Sequence, residues 1–123
     1  MADIEFTVKG DIPSLKNSLQ VGRGGRFFHK NDKVRQYKNA FWAQTPSKYR
    51  TKGTAHPLIV ELRLYKKDNR KDGCNLGAIV YDSLQSSGVI KNDRQIIERH
   101  EYDAIDKNNP RVKVSIWEIR DDV

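Results

Sequence analysis

With 123 residues, 37% of them hydrophobic and 32% charged, the chain reads as a single domain with a modest core, one that a second copy would complete as a homodimer. It has no apolar run near the roughly 18 to 20 residues of a membrane span and no apolar signal-peptide core in MADIEFTVKG, and so a cytoplasmic protein without a membrane partner is expected. One cysteine excludes an internal disulfide, the scattered His29, His56 and His100 do not form a zinc spacing, and the net charge of +7 is unevenly spread: residues 1–71 carry sixteen Lys/Arg against six Asp/Glu, residues 72–123 seven against ten.

From the N-terminus, the alternation in IEFTVKG (Ile4 to Gly10) predicts a half-buried strand. Pro13 and Ser14 open a mobile basic loop, at about residues 13–31, in which the glycines of GRGGR (Gly22 to Arg26) remove any helix or strand preference. Asp32 is placed as the N-cap of a first helix, DKVRQYKNAFWAQ, with Val34, Tyr37, Phe41 and Trp42 toward the core and Lys33, Arg35 and Lys38 elsewhere. Pro46 to Pro57 is loop-like, and LIVELRLYKK (Leu58 to Lys67) is the clearest strand. A second helix is predicted over Asn75 to Ser87, with Leu76, Ile79, Val80 and Leu84 on its apolar face and Gly88 as its closing residue. Two strands follow, near Gln95–Ala104 and Arg111–Ile119, and the DKNNP between them invites a hairpin. The order β-α-β-α-β-β describes one mixed α/β domain over residues 1–123, a small mixed sheet of about four strands with two helices.

Three polar segments flank or occupy the second helix: KDGCN before it, YDSL within it and KNDRQ after it. Taken singly, Asp72 suits an N-cap or turn, Asn92-Asp93 a plain turn, and Asp82 an exposed or capping residue. Taken together beside a basic surface, carboxylates suit a Mg²⁺ or Mn²⁺ site for phosphodiester hydrolysis, because such ions take oxygen ligands and activate water. A helix of about 13 residues is roughly 20 Å long, so groups at its two ends meet only if the chain doubles back through a neighbouring strand.

The stretch Lys71 to Ile96 resembles the core of the RusA-type Holliday junction resolvases, whose pattern runs basic-D-x-D-N-L-x-K-x-x-x-D-A-L and then D-D-x-Q-[IV] after a short spacer. Lys71, Asp72, Asn75, Leu76, Asp82, Leu84, Asp93, Gln95 and Ile96 match without a gap, and Pro13, Ser14 and Asn17 match the family's opening. The resemblance implies a dimeric endonuclease that recognises four-way DNA junctions by shape and makes paired metal-dependent nicks, and a phage or prophage origin in a bacterial cell. It implies Asp72 and Asp93 as catalytic and metal-binding acids, and at a weakened site Asn75, Asn92 or water would have to supply the missing oxygen. Cys74 stands at a family aspartate, Ala78 at a helix lysine, and Asn92 at the first residue of the late acidic pair. A thiol is a poor Mg²⁺ ligand and alanine cannot stabilise developing charge, so these departures point to weakened cleavage or to a non-catalytic descendant that binds DNA structure or a protein. A redox or nucleophilic Cys74 has no histidine beside it in sequence.

Two basic groups suit phosphate contacts: Lys16, Arg23, Arg26, Lys30, Lys33, Arg35 and Lys38, with Asn17 beside them, and Lys66, Lys67, Arg70 and Lys71 before the acidic stretch. Phe27 and Phe28 suit either stacking on an unpaired base or anchoring the loop to the core.

Overall fold

The computed structural model describes residues 1–13, 19–21, 27–29, 33–50, 55–69 and 76–120. Strands β1 (Ile4–Lys9), β4 (Leu58–Lys66), β5 (Ile96–Ile105) and β6 (Arg111–Glu118) form one mixed sheet in the order β1-β6-β4-β5. Two short strands, β2 (Leu19–Val21) and β3 (Phe27–His29), pair antiparallel with each other, and two helices, α1 (Lys33–Gln44) and α2 (Leu76–Ser86), complete the elements. The mixed sheet with two helices is the expected fold. Two expectations about the strands are corrected. The stretch read as a pure loop carries a β-ribbon, β2 with β3, on either side of its glycines. The strands flanking DKNNP do not form a hairpin: β5 and β6 lie on opposite sides of β4, β5 parallel to it and β6 antiparallel.

Burial decides that order. Val112, Val114 and Ile116 of β6 are completely buried, as are Val60 and Leu62 of β4, so these strands take the middle of the sheet. Beyond Ile96, β5 is exposed along its whole length and takes an edge. With α2 as the connection, β4-α2-β5 is the parallel crossover unit that antiparallel turn chemistry cannot supply. The inward residues of the sheet meet Val34, Tyr37 and Phe41 of α1 and Leu76, Ile79, Val80 and Leu84 of α2 in one core. Phe41 packs edge-on to Phe6, ring centroids 5.8 Å apart. Trp42, expected on the same face, is instead exposed, with the Arg50 guanidinium 4.0 Å above its ring. The proposed N-cap Asp32 lies outside the described residues.

Gly88 ends α2 as expected. Its φ of +82° lets the Val89 N–H reach the Leu84 carbonyl (3.0 Å) and its own N–H reach the Gln85 carbonyl (3.2 Å), satisfying two carbonyls at the helix end. A Cβ there would meet nothing closer than 3.7 Å, so the cost of Gly88→Ala is backbone strain alone. The expected result is a loss of about 1–2 kcal/mol in urea unfolding.

Tyr37 lies deep under α1, and burial, with Asp11 nearby, pushes its phenol well above the ordinary value. The folded state therefore holds this proton when the unfolded chain has released it, and stability falls as pH rises past the unfolded value of about 10. Urea titrations above pH 10 should show a fall of about 1.4 kcal/mol per pH unit from this group. Tyr37→Phe should remove that increment and leave the neutral-pH fold intact.

Candidate metal and DNA-binding site

The late acidic motif forms a single 3₁₀ turn, Asp93–Gln95, after α2. Asn92 caps it: the Asn92 Oδ1 accepts the Arg94 N–H at 2.9 Å. Gln95 closes the frame from the other side, its Oε1 accepting the N–H groups of Lys91 (3.1 Å) and Asn92 (3.0 Å) and its Nε2 donating to the His56 carbonyl (2.9 Å). The Asp93 N–H donates to the Gln85 side chain of α2 at 3.0 Å. Asp93 is thus fixed through its backbone while its exposed carboxylate has no side-chain partner among the described residues. Asparagine and aspartate are equivalent N-caps, so Asn92 keeps the turn where the family pattern has an acid. Gln95→Ala removes three hydrogen bonds at once, and the expected result is loss of about 1–3 kcal/mol together with loosening of Asp93, read by urea unfolding and by amide exchange at residues 91–96.

Asp93 is level with the start of β4, because the next-but-two residue, Ile96, pairs with Leu58. The chain does double back through β5, but Asp93 precedes the return and stays at the C-terminal end of α2. Asp72, Cys74 and Asn75, with Arg70 and Lys71, belong to the connection from Asn69, beyond the end of β4, to Leu76, the first residue of α2, and lie outside the described residues. Eleven residues of helix, about 16 Å, separate the ends of α2 to which the two halves of the motif attach. Among the described residues, no three His, Cys, Asp or Glu side chains converge as a metal cluster. The oxygen donor at Asp93 fits a hard divalent ion, which takes exposed carboxylates and keeps several waters.

The remaining residues divide clearly. Asp82 is exposed on α2 and its carboxylate pairs with Lys38 of α1, tying the helices together, a link whose two partners the sequence placed in separate roles. Ala78 sits one turn earlier, half-buried. Lys66, expected at DNA, is turned inward with the buried residues of β4, its amine 3.6 Å from the Asp103 carboxylate, so its charge is opposed by that acid. Lys33, Arg35 and Lys67 are exposed, as phosphate contacts require. Lys16, Asn17, Arg23, Arg26 and Lys30 lie outside the described residues, and of Phe27 and Phe28 only the backbone pairing in β3 is described. A cluster that sequence reasoning missed stands on the inner side of β5. The Glu101 carboxylate lies over Gly77, where a Cβ would come within 2.1 Å of its Oε1, and Arg99 stands 5.1 Å from the Tyr81 ring. Burial, with Glu101 nearby, raises the Tyr81 phenol and keeps it neutral. The only sequence signal was an interior helical glycine, a residue that costs stability unless something needs the space.

The described residues thus form an α+β domain that presents one exposed carboxylate, framed by hydrogen bonds, beside a helix. Residues 12–117 match the family described as Endodeoxyribonuclease RusA, and the chain belongs to that family. No curated protein matches it. The family is one of endodeoxyribonucleases that act on branched DNA junctions, and membership supports a resolvase-like function for the chain. Among the described residues, no helix is long and apolar enough to cross a membrane.

Proposed function

We propose that the protein is a dimeric, divalent-metal-dependent endonuclease that resolves four-way DNA junctions by paired nicks, with its rate lowered by Cys74 and Ala78. The observation that carries this reading is the frame around Asp93: four side-chain hydrogen bonds from Gln95, Asn92 and Gln85 fix the turn, and none uses the carboxylate. The same bonds cap the turn and serve the fold, and because they leave the exposed carboxylate unused they also hold a ligand in place before an ion arrives.

Asp72 and Asp93 would hold Mg²⁺ or Mn²⁺, with the neutral oxygens of Asn75 and Asn92 beside them. Such an ion supplies charge stabilisation at the phosphate and a water acidified toward neutral pH. The chain itself holds and orients the DNA. Lys33 and Lys67, with Lys16, Asn17, Arg23, Arg26, Lys30, Arg70 and Lys71, hold the backbone, giving affinity for shape with a steep salt dependence. Because the two acids attach to opposite ends of α2, Asp72 of one chain and Asp93 of a second copy related by a two-fold axis would hold the ion together, and the two equivalent sites would give paired nicks. A second reading, a non-catalytic scaffold that binds branched DNA or a protein, is favoured by the thiol at 74 and the missing amine at 78.

Incubation of the purified protein with a labelled four-way junction in Mg²⁺ and in Mn²⁺ separates the two. The nuclease reading expects cleavage by the wild type and none by Asp72→Asn or Asp93→Asn, with junction binding retained. Binding without cleavage in either metal favours the scaffold, and absence of any preference for junction over duplex in a gel shift sinks both DNA readings and favours a protein partner.

A further inference from the structure

We infer that two copies of this chain join edge to edge through β5, antiparallel and centred on Glu101, to make one continuous eight-stranded sheet. The inference deepens the dimeric reading above by naming its surface and register. Among the described residues the sheet has two edges, β1 and β5, and they differ. β1 is the shorter edge, six residues long, and its last residue is already occupied: the Lys9 N–H donates to the Gln44 Oε1 (2.7 Å) and the Lys9 carbonyl accepts from the Gln44 Nε2 (2.9 Å), so a helix side chain blunts that end of the edge. At β5 ten residues run along the rim, and nine of them are exposed. An edge of that length is a template for another strand.

The residues on β5 select both the occupant and the register. A two-fold axis perpendicular to the sheet sets residues opposite each other when their numbers sum to twice that of the central residue, and opposite residues share a face. Centred on Glu101, Ile97, the extra residue where β5 shifts register against β4 between Ile96 and Glu98, comes opposite Ile105 of the second copy, joining two isoleucines that are 62% and 58% exposed in the single chain. In the same register Arg99 faces the second copy's Asp103, on the side of the sheet that carries α2, and His100 faces Tyr102 on the other side. Moving the axis to His100 sets Ile97 against an aspartate. Moving it to Tyr102 sets Arg99 against Ile105 and Glu101 against Asp103. Of these registers, only the one centred on Glu101 sets Ile97 against Ile105 and Arg99 against Asp103, whose carboxylate then lies between Lys66 of its own chain and Arg99 of the other.

The price of that register is Glu101 against its own copy, and the fold offsets it. Gly77 leaves a space into which the Glu101 carboxylate folds back over α2, away from the rim. The same operation sets the Ile96 end of one β5, just after Asp93, opposite the Ile105 end of the second copy's β5, one strand away from the end of that copy's β4, which brings toward each other the two ends that an ion shared between chains would need.

The test is cysteine cross-linking in the full chain. In a Cys74→Ser background, Glu101→Cys sets two thiols directly opposite at about the 4.5–5.5 Å Cβ separation of a cross-strand pair, and mild oxidation should convert most of it to a disulfide dimer. His100→Cys and Tyr102→Cys, the centres of the neighbouring registers, should cross-link far more slowly. Arg99→Asp and Asp103→Arg should each raise the dimer dissociation constant about tenfold or more by placing like charges opposite, and the double exchange should restore it. Circular dichroism confirms folding of each variant. A wild-type dimer in which Glu101→Cys stays uncross-linked overturns this interface while leaving a dimeric nuclease in place. A wild type that is monomeric at micromolar concentration in sedimentation overturns both. Efficient cross-linking at position 101 supports the interface even where the junction assay fails, and that failure then counts against the proposed function alone.

Discussion

Replacing Cys74 with aspartate and Ala78 with lysine together is expected to raise the rate of four-way-junction cleavage in Mg²⁺ by about 10²–10⁴-fold over the wild type. Two separate deficits are repaired. A carboxylate at 74 supplies a hard oxygen and a negative charge that hold Mg²⁺ against the phosphates, where a thiol offers a soft and largely protonated donor. A lysine at 78 returns a cation one helical turn before Asp82, whose own charge is already met by Lys38, so the new amine is not consumed by its neighbour. The two repairs are separable: Cys74→Asp alone should mainly lower the Mg²⁺ concentration needed for half-maximal rate, whereas Ala78→Lys should mainly raise the rate at saturating metal. No change is needed at Asn92, because that side chain serves as the cap of the turn. Single-turnover cleavage across a metal titration measures both effects, with Asp93→Asn in the repaired background returning the rate to the baseline. A Cys74→Asp variant that alters neither metal dependence nor rate would show that position 74 does not face the ion.

How far such a site could be read from sequence depends on which interactions are local. Strand and helix positions were legible because period-2 and period-3.6 patterns of Val, Leu and Ile are written along the chain: Val112, Val114 and Ile116 alternate, and Leu76, Ile79, Val80 and Leu84 share a helix face. Gly88 was legible because a helix stop is a local event. Strand order was not. DKNNP has the chemistry of a tight turn, but pairing is decided by how much apolar surface each strand buries, and β5, with Glu98, Arg99, Glu101 and Asp103, cannot displace β6 from the middle of the sheet. The motif at Asn92–Gln95 was legible as a pattern and its meaning was not, since the Gln95 bond to the His56 carbonyl joins residues 39 apart in sequence. Lys66 shows the reverse error. Its neighbours made it part of a basic run, while its parity on β4, in phase with Leu62 and Leu64, carried it inward to Asp103.

Phe41→Ala is expected to be the most damaging single truncation in α1, costing about 3–5 kcal/mol of unfolding free energy. The ring is completely buried, edge-on to Phe6 at 5.8 Å and tilted against Tyr37 at 6.2 Å, so its removal loses apolar burial and two aromatic contacts and leaves a cavity beneath the helix. Against the 5–15 kcal/mol typical of a whole domain, that loss is a large share, and the melting temperature should fall by about 10–20 °C. The adjacent Trp42→Ala is the control, because Trp42 is 52% exposed and its main contact is the Arg50 guanidinium, worth about 0.5–1 kcal/mol at an exposed site. Thermal and urea unfolding of the two variants side by side measures the difference. Equal losses at positions 41 and 42 would mean that α1 is rotated on the sheet, which would also move Lys38 away from Asp82 and undo the link between the helix carrying exposed cations and the helix that separates the two halves of the acidic motif.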